Sequence, residues 1–469
     1  MTLSDIGSII QLGSDTAMPA PETNTKHLAK LLFQVPAPAE KQALLQTAQL
    51  CLIDYLAAVI AAQDEAAVLS LKQTFAKTTF ALPALGYQMP LSSDHLALLN
   101  GFAAHYLDID DTNTNLQGHP SGVIFSALLA ISDGTESLEN LLWAQVMGVE
   151  LAGQFGHLLN PGLSLKGIHT TGAIGTIAAA AAIAVYKKQS IEATETLLSI
   201  AATQATALEI QVGTDGKPLN AGFAARNAVT AWLCLQAGLH AATDPFITDR
   251  GWFAALGNQP FKATDLDETW LNPGQIQQPG IWFKTQPFCS EAMSGYAAAQ
   301  KLHQLGIDMA HSAQITINFP SSVSDALRFD HPKDGQEGKF SIEYVVWLTL
   351  TYGVLPTTAF AKRPVPAEFS QDLPKFSRNP MREIPDPTTR PTALTVLTTN
   401  GKTLTVRVAN PVGSPNNPLS QQDLLTKLLA QLPPYAGATV VNFFHQPIAQ
   451  QILADLGVLL TKLNNKDLI

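Results

Sequence analysis

The sequence predicts a mainly α-helical protein that also contains a smaller region of mixed helix and strand. Alanine- and leucine-rich segments dominate over valine/isoleucine alternation in a chain whose hydrophobic fraction is 46%. From Asn24 onward, apolar residues recur at three- and four-residue spacings, which is the period of a helix. Strand-like alternation is confined to the part of the chain beyond residue 270. A length of 469 residues suggests two or three domains.

The first part of the chain is expected to be an all-helical domain that begins after a flexible arm, residues 1–24. The run EKQALLQTAQLCLIDYLAAVIAA carries apolar residues on two faces, which is typical of a helix buried between other helices. Gly, Pro and Asn separate the further helices that the pattern predicts, at residues 65–77, 92–109, 122–133, 136–159, 169–187, 190–208 and 219–239.

A second region begins near residue 270, where Asp, Gly, Asn and Pro become frequent and the helical period is lost. A short strand-like segment, GIWFKTQPFCS, precedes a helix predicted over 290–305. The alternating AQITINF predicts a strand over 313–319, FSIEYVVWLTLTYG predicts a helix over 340–353, and Asn400-Gly401 joins two alternating segments as a hairpin. From Pro418 the pattern returns to helix.

The net charge, the cysteines and the apolar segments of the chain argue against several classes of partner and site. The formal net charge is −10 and the chain has no basic run, which argues against nucleic acid as a partner. Three cysteines without CxxC spacing predict neither a disulfide framework nor a zinc site. The N-terminus lacks the basic region of a signal peptide, and no stretch convincingly reaches the roughly 18 apolar residues of a spanning helix. We therefore expect a cytoplasmic protein with no membrane partner.

The densest polar segment is NGFAAHYLDIDDTNTNLQGHPSG, residues 100–122, in a chain of which only 14% is charged. If residues 98–111 are helical, three of its side chains share one face: His105, Asp108 and Thr112. In that arrangement Asp110 points elsewhere. His119-Pro120 opens the apolar run that follows, so this histidine is expected at a helix N-terminus, where free N–H groups favour an anion. The segment predicts a cradle for an acidic substrate.

Three further motifs carry possible chemistry. GIHTTG places His169 at the start of the alanine-rich helix, GTDGKPL places Lys217 in a glycine-rich turn, and WFK places Lys284 after two aromatic residues. Taken singly, a histidine at a helix start is more often structural than catalytic, and a lysine in a turn is more often solvated surface. Taken together, these residues supply cations for carboxylates and groups that move a proton.

Seven ordered motifs resemble those of the MmgE/PrpD family, and the resemblance covers nearly the whole chain from residue 25. The motifs are NGFAAHYLDIDDT with GHPSG, LCLIDYLAAVIAAQ, GIHTTGAIGTIAAAAA, GKPLNAGFAARNAV, WFKTQPFC, FSIEYVVWLTLTYG and GSPNNPLSQQDLLTKL. The resemblance implies a large helical domain (25–270) completed by the C-terminal segment (410–469), with a smaller α+β lid domain (271–409). It also implies a homodimer that needs no metal, iron–sulfur cluster or other cofactor.

The family includes 2-methylcitrate dehydratase, cis-aconitate decarboxylase and iminodisuccinate epimerase, so the resemblance implies a small di- or tricarboxylate substrate. Carried over by motif, the proton-transfer candidates are His119 and Asp108, with Thr112 positioning the substrate. Lys217, Lys284 and His169 would hold its carboxylates. Dehydration of a 2-methylcitrate- or citrate-like hydroxy acid is the first expectation on family prevalence, and decarboxylation or epimerisation are the alternatives.

Two departures from the family pattern leave the substrate open. Met293 stands where relatives have a histidine, and the loop over 113–118 is lengthened. Both are expected to touch the substrate pocket.

Readings from other classes also stay open. A non-catalytic carboxylate-binding protein would keep the fold, whereas the DxDD run over 108–111 also fits cyclases that protonate an isoprenoid olefin. An aromatic content of 7% argues against such cyclases. A calcium loop is disfavoured because Leu116 occupies the position of the turn glycine.

Overall fold

The fold was analysed in a computed structural model, which describes residues 23–76, 91–256, 262–320, 326–356, 358–381, 386 and 388–457. Its helices are α1 (Asn24–Leu32), α2 (Pro38–Ala62), α3 (Ala66–Ala76), α4 (Ser93–Tyr106), α5 (Pro120–Ala130), α6 (Leu138–Leu159), α7 (Gly162–Leu165), α8 (Thr170–Tyr186), α9 (Ile191–Ala202), α10 (Gly216–Gln236), α11 (Trp252–Ala255), α12 (Met293–Gln304), α13 (Gly335–Gly338), α14 (Ile342–Tyr352), α15 (Ala367–Asp372), α16 (Gln421–Leu429) and α17 (Gly437–His445). Its strands are β1 (Thr112–Asn113), β2 (Ile281–Trp282), β3 (Ser312–Pro320), β4 (Phe376–Met381), β5 (Thr392–Thr398) and β6 (Thr403–Val408).

The larger hydrophobic core lies among the helices of the first half of the chain. Helix α8 is at its centre: every residue of this alanine- and glycine-rich helix is buried, and α5, α6, α9 and α10 pack around it. The C-terminal helices join the same core, because α16 packs on α2 and buries Leu424, Leu425 and Leu428 there. The apolar sequence period thus produces one helical body to which a distant C-terminal segment returns.

Two glycines allow α4 and α10 to approach each other closely. A Cβ atom built on Gly101 would lie 2.9 Å from Cα of Gly222, which is closer than real Cβ contacts come. Any larger residue would push the two helices apart. This close crossing brings the start of α10, which carries Lys217, against the end of α4, which carries His105.

A second core lies under a four-stranded sheet of order β4-β3-β5-β6. Strands β3 and β4 are parallel, and the pairs β3/β5 and β5/β6 are antiparallel. Ile315 and Ile317 of β3 and Leu394 and Val396 of β5 point inward, because alternate side chains of a strand share one face. Helix α12 packs on β5, β6 and α14.

A two-stranded ladder joins the two parts at the polar segment. Strand β1 pairs antiparallel with β2, so that Thr112 lies opposite Trp282. This pairing brings the segment that follows Trp282, with Lys284, beside the residues that precede Thr112.

The mainly helical fold is confirmed, as are the predicted strand over 313–319, the helix over 340–353 and the hairpin at Asn400-Gly401. The division of the chain at residues 270 and 410 stays a prediction. Helix α9 ends at Ala202 and not at 208. The predicted arm falls, up to residue 22, outside the described residues.

The expectation that no segment is long and apolar enough to cross a membrane is wrong for α2. This helix has 25 residues and passes the test of length and composition. In its most apolar window, 67% of the residues are buried inside the protein, which is what the core helix of a helical bundle shows.

Candidate active site

The polar segment is not helical throughout, which corrects the prediction of a helix over 98–111. Helix α4 ends at Tyr106, and Asp108 adopts a left-handed conformation with φ of 58°. A left-handed residue just after the cap is a common way to end a helix, although glycine usually occupies it. Thr112 lies in strand β1, so the predicted helical face shared by His105, Asp108 and Thr112 does not exist.

Asp108 is held by two lysines. Its Oδ1 lies 2.5 Å from Nζ of Lys217, and its Oδ2 lies 2.9 Å from Nζ of Lys284, which also donates to the Asp108 carbonyl at 2.6 Å. The left-handed backbone of Asp108 is therefore fixed from both its carboxylate and its carbonyl. Burial raises the pKa of this carboxyl, but the two ammonium groups outweigh burial and hold the pKa far below its usual range. Asp108 is an anion at any working pH.

Asp110 also belongs to the site, contrary to the prediction that it points elsewhere. His105 Nδ1 lies 3.0 Å from Asp110 Oδ2, and His105 Nε2 lies 2.7 Å from Lys217 Nζ. Because the ammonium can only donate, Nε2 of His105 accepts and its Nδ1–H donates to Asp110. Burial, followed by the charge of Lys217, favours the neutral ring, and the pKa of His105 is lowered despite Asp110. A buried chain of polar contacts thus runs from Asp110 through His105 and Lys217 to Asp108.

His119 stands between the two carboxylates. It caps α5, and Pro120 takes the first helical position. Its Nδ1 lies 3.2 Å from Asp110 Oδ2 without hydrogen-bond geometry, and its Nε2 lies 3.9 Å from Asp108 Oδ1. Burial lowers the pKa of His119 to about 3, with the cations of the site adding to the effect and Asp110 opposing it. The free protein therefore carries a neutral His119 at neutral pH.

His169 caps the fully buried helix α8, again as the sequence predicts. The side-chain amide of Asn220 donates to its Nδ1 at 3.1 Å and to the carbonyl of Leu208 at 3.2 Å. Burial lowers the pKa of His169 well below the usual value, and Lys217 adds to the effect. The neutral ring therefore carries its proton on Nε2, where it is available as a donor.

A chain of hydroxyls links Thr112 to an arginine that the sequence did not single out. Thr112 Oγ1 donates to Ser290 Oγ at 3.2 Å, and Nη1 of Arg390 donates to the same Ser290 oxygen. Nη2 of Arg390 lies 3.5 Å from Oγ1 of Thr114, and the guanidinium carbon lies 4.3 Å from the centre of the Trp282 ring.

Several of these groups line one cavity. Five of the six residues singled out from the sequence line it: Asp108, Thr112, His119, His169 and Lys217. Lys284 is buried against Asp108 and is not among the described lining residues, so its expected contact with a substrate carboxylate stays a prediction. Arg390 and Ser290 are lining residues that motif reasoning missed. Arg390 lies in a proline-rich stretch without helical or strand period, and no sequence signal marked it.

The two departures from the family pattern lie in different places relative to the cavity. Thr114, Gln117 and Gly118, from the lengthened loop, line the cavity. Met293 begins α12 and is buried in the second core, outside the lining. Its expected effect on the pocket therefore stays a prediction.

A second buried network, made of hydrogen bonds, holds Asp111 of the polar segment. Asp111 accepts from the backbone N–H of Ser121 and contacts the Ser121 hydroxyl, which also receives a hydrogen bond from Gln145. Burial, with the charge of Asp54 adding to it, raises the pKa of Asp111 to about 8. Asp111 is accordingly protonated at neutral pH and does not compete with Asp108 and Asp110 as an anion.

Four of these residues also offer metal-ligand atoms within 4.8 Å of one another: His105, Asp108, Asp110 and His119. The donor set does not suit a divalent cation, because both oxygens of Asp108 already face ammonium groups. Nε2 of His105 likewise faces Lys217. A metal ion here would meet two positive charges at contact distance.

Two models of one protein family match most of the chain. Residues 26–264 match the MmgE/PrpD N-terminal domain, and residues 287–442 match the MmgE/PrpD C-terminal domain. The chain is 27% identical over 357 residues to cis-aconitate decarboxylase of Mus musculus, covering 72% of each protein. It is 26% identical over 359 residues to cis-aconitate decarboxylase of Homo sapiens, covering 72% of this chain and 73% of the relative.

Proposed function

Because the chain belongs to the MmgE/PrpD family, we propose that it is a lyase that decarboxylates a small unsaturated di- or tricarboxylate of the cis-aconitate type. The relatives named above support the reaction class. Their reaction replaces dehydration, the first expectation from the sequence, as the leading candidate.

The observation that carries the proposal is that a neutral His119 and two cations line the same cavity. Lys217 and Arg390 attract carboxylates, and His169 presents an N–H donor. Asp108 and Asp110 hold the cationic and imidazole groups in place. A histidine positioned to act as a general acid or base increases the rate by about 10²–10⁴.

In a decarboxylation, the bond between the departing carboxylate and the carbon framework breaks, and its electron pair passes into the framework as CO₂ leaves. Lys217 and His169 stabilise the negative charge that develops on the remaining carboxylate. A proton must then be added to a framework carbon, so each CO₂ released consumes one proton. His119 supplies that proton, because the negative charge of a bound polycarboxylate favours its protonated form.

Dehydration of a 2-methylcitrate- or citrate-like hydroxy acid is the second candidate. The negative charge of Asp110, whose Oδ2 lies 3.2 Å from Nδ1 of His119, favours the neutral tautomer that carries its proton on Nδ1. Nε2 then carries a lone pair and is able to remove a proton next to a carboxylate. Dehydration and epimerisation both need such a base.

Proton NMR in D₂O with EDTA tests the proposal, with cis-aconitate, citrate, 2-methylcitrate and several dicarboxylates as substrates. The expected result is loss of CO₂ from cis-aconitate or a related unsaturated acid, with one deuterium entering each product molecule. Water loss from a hydroxy acid would replace decarboxylation by dehydration. Deuterium exchange without net reaction would indicate an epimerase, and binding without any reaction would indicate a carboxylate-binding protein.

The His119→Asn variant ties the activity to the site. We expect at least a 100-fold loss of kcat with an unchanged thermal midpoint. His157→Asn, which changes an exposed histidine of α6, is the matched control and should keep full activity. Full activity in His119→Asn would remove His119 from the mechanism.

A further inference from the structure

We infer that Arg390, with Ser290, Thr114 and Trp282, forms a second anion subsite of the cavity that receives a carboxylate remote from the reacting one. The guanidinium contacts two hydroxyl groups and the face of an indole ring. These groups orient it but carry no net charge. The planar fork of an arginine held in this way is suited to a carboxylate, which it can bind through two parallel hydrogen bonds.

Two of the described lining residues are cations held by different side chains, Lys217 and Arg390, and we call their surroundings the two cationic poles of the cavity. Lys217 lies with Asp108 and His105 at one pole, where Asp108 already neutralises much of its charge. Arg390 lies with Ser290 and Thr112 at the other. A monocarboxylate can satisfy only one pole. The ligand that fits both is a polyanion with carboxylates on separate carbons, which deepens the proposed function and rests on it.

Glu291 is the acidic side chain whose charge acts on Arg390, and both residues line the cavity. A bound carboxylate would share the guanidinium with this neighbour and would be repelled by it. Removal of the Glu291 charge is therefore expected to strengthen polyanion binding, whereas removal of the Arg390 charge weakens it. Opposite effects from two neighbouring residues are not expected from a general loss of structure.

The test measures binding, so that it does not depend on turnover. Isothermal titration with propane-1,2,3-tricarboxylate and with butanoate gives a preference ratio for the polyanion over the monoanion. In Arg390→Gln we expect this ratio to fall by about 10–100-fold, because charge-assisted hydrogen bonds contribute about 1.5–3 kcal/mol and 1.4 kcal/mol is tenfold. Arg390→Lys should fall in between, because it keeps the charge and loses the fork.

Arg407→Gln, on the exposed side of β6, is the matched control and should keep the wild-type ratio. Glu291→Gln should raise affinity for the tricarboxylate. An unchanged ratio in Arg390→Gln, or equal weakening of both ligands, would overturn the subsite. If the protein turns over none of the acids but the preference ratio for the polyanion falls in Arg390→Gln, the proposed reaction is wrong and the subsite is supported. If turnover is observed and Arg390→Gln leaves KM unchanged, the subsite fails alone.

Discussion

Nζ of Lys427 donates a hydrogen bond to the main-chain oxygen of Ile109 at 2.8 Å. The same ammonium donates to the main-chain oxygen of Lys284 at 3.0 Å and to Asp54 Oδ1 at 2.6 Å. A residue of the C-terminal helix α16 thus holds the backbone on both sides of the Asp108–Lys284 ion pair. Lys427 itself is not among the described lining residues, so its role is one of positioning.

We predict that Lys427→Met lowers kcat by about 10–100-fold while KM changes much less, because small displacements of catalytic groups are costly. The single variant leaves Asp54 buried without its cation, and stability will fall as well. The double variant Asp54→Asn/Lys427→Met removes that buried charge. It should recover stability and keep the low kcat. Recovery of both would assign Lys427 a purely structural role, and Lys402→Met, at an exposed site, is the control.

Ligand binding should be accompanied by proton uptake at His119. The pKa of about 3 in the free protein lies below neutral pH, so the ring is unprotonated before binding. The charge of a polycarboxylate raises that pKa. Titration calorimetry at pH 7 in buffers of different ionisation enthalpy should reveal uptake of up to about one proton per ligand. His119→Asn should abolish the uptake and His157→Asn should preserve it, whereas uptake unchanged in His119→Asn would point to another group.

Asp111 should make the protein less stable as pH rises. Its folded pKa of about 8 lies above 3.8, the usual value of an aspartate side chain. The folded state therefore binds more protons between these values, and the free energy of unfolding falls across that window as pH increases. Asp111→Asn resembles the protonated group and should gain stability relative to the wild type between pH 5 and pH 9. Thermal midpoints measure this, with exposed Asp249→Asn as control. A parallel pH dependence in wild type and Asp111→Asn would contradict the assignment.

Chelation should leave activity intact. The four potential ligands around His105 and Asp108 face the ammonium groups of Lys217 and Lys284, which disfavours a divalent cation. After dialysis against EDTA, we expect initial rates within about twofold of those of the untreated protein, because the two ammonium groups repel a cation from these ligand atoms. Loss of activity that Zn²⁺ or Mn²⁺ restores would show that a metal takes part.

Local sequence rules predicted much of the fold. Helical periodicity located α2, α6, α8 and α14, and alternation located β3 and the β5–β6 hairpin. The same rules failed at Tyr106, because the residue that ends α4 is an aspartate in a left-handed conformation and not the usual glycine. Because of that one error, the predicted positions of Thr112 and Asp110 were both wrong.

The sequence by itself determined the helical class, the family and the placement of His119 and His169 at helix starts. Caps and periodicity are local properties, and they can be read from neighbouring residues. Only the tertiary structure decided that both lysines meet at Asp108, that Asp110 orients His105, and that Arg390 and Lys427 reach the site. Apart from the contact between Asp110 and His105, these contacts join residues more than a hundred positions apart. They depend on close helix crossing and strand pairing, which no local pattern encodes.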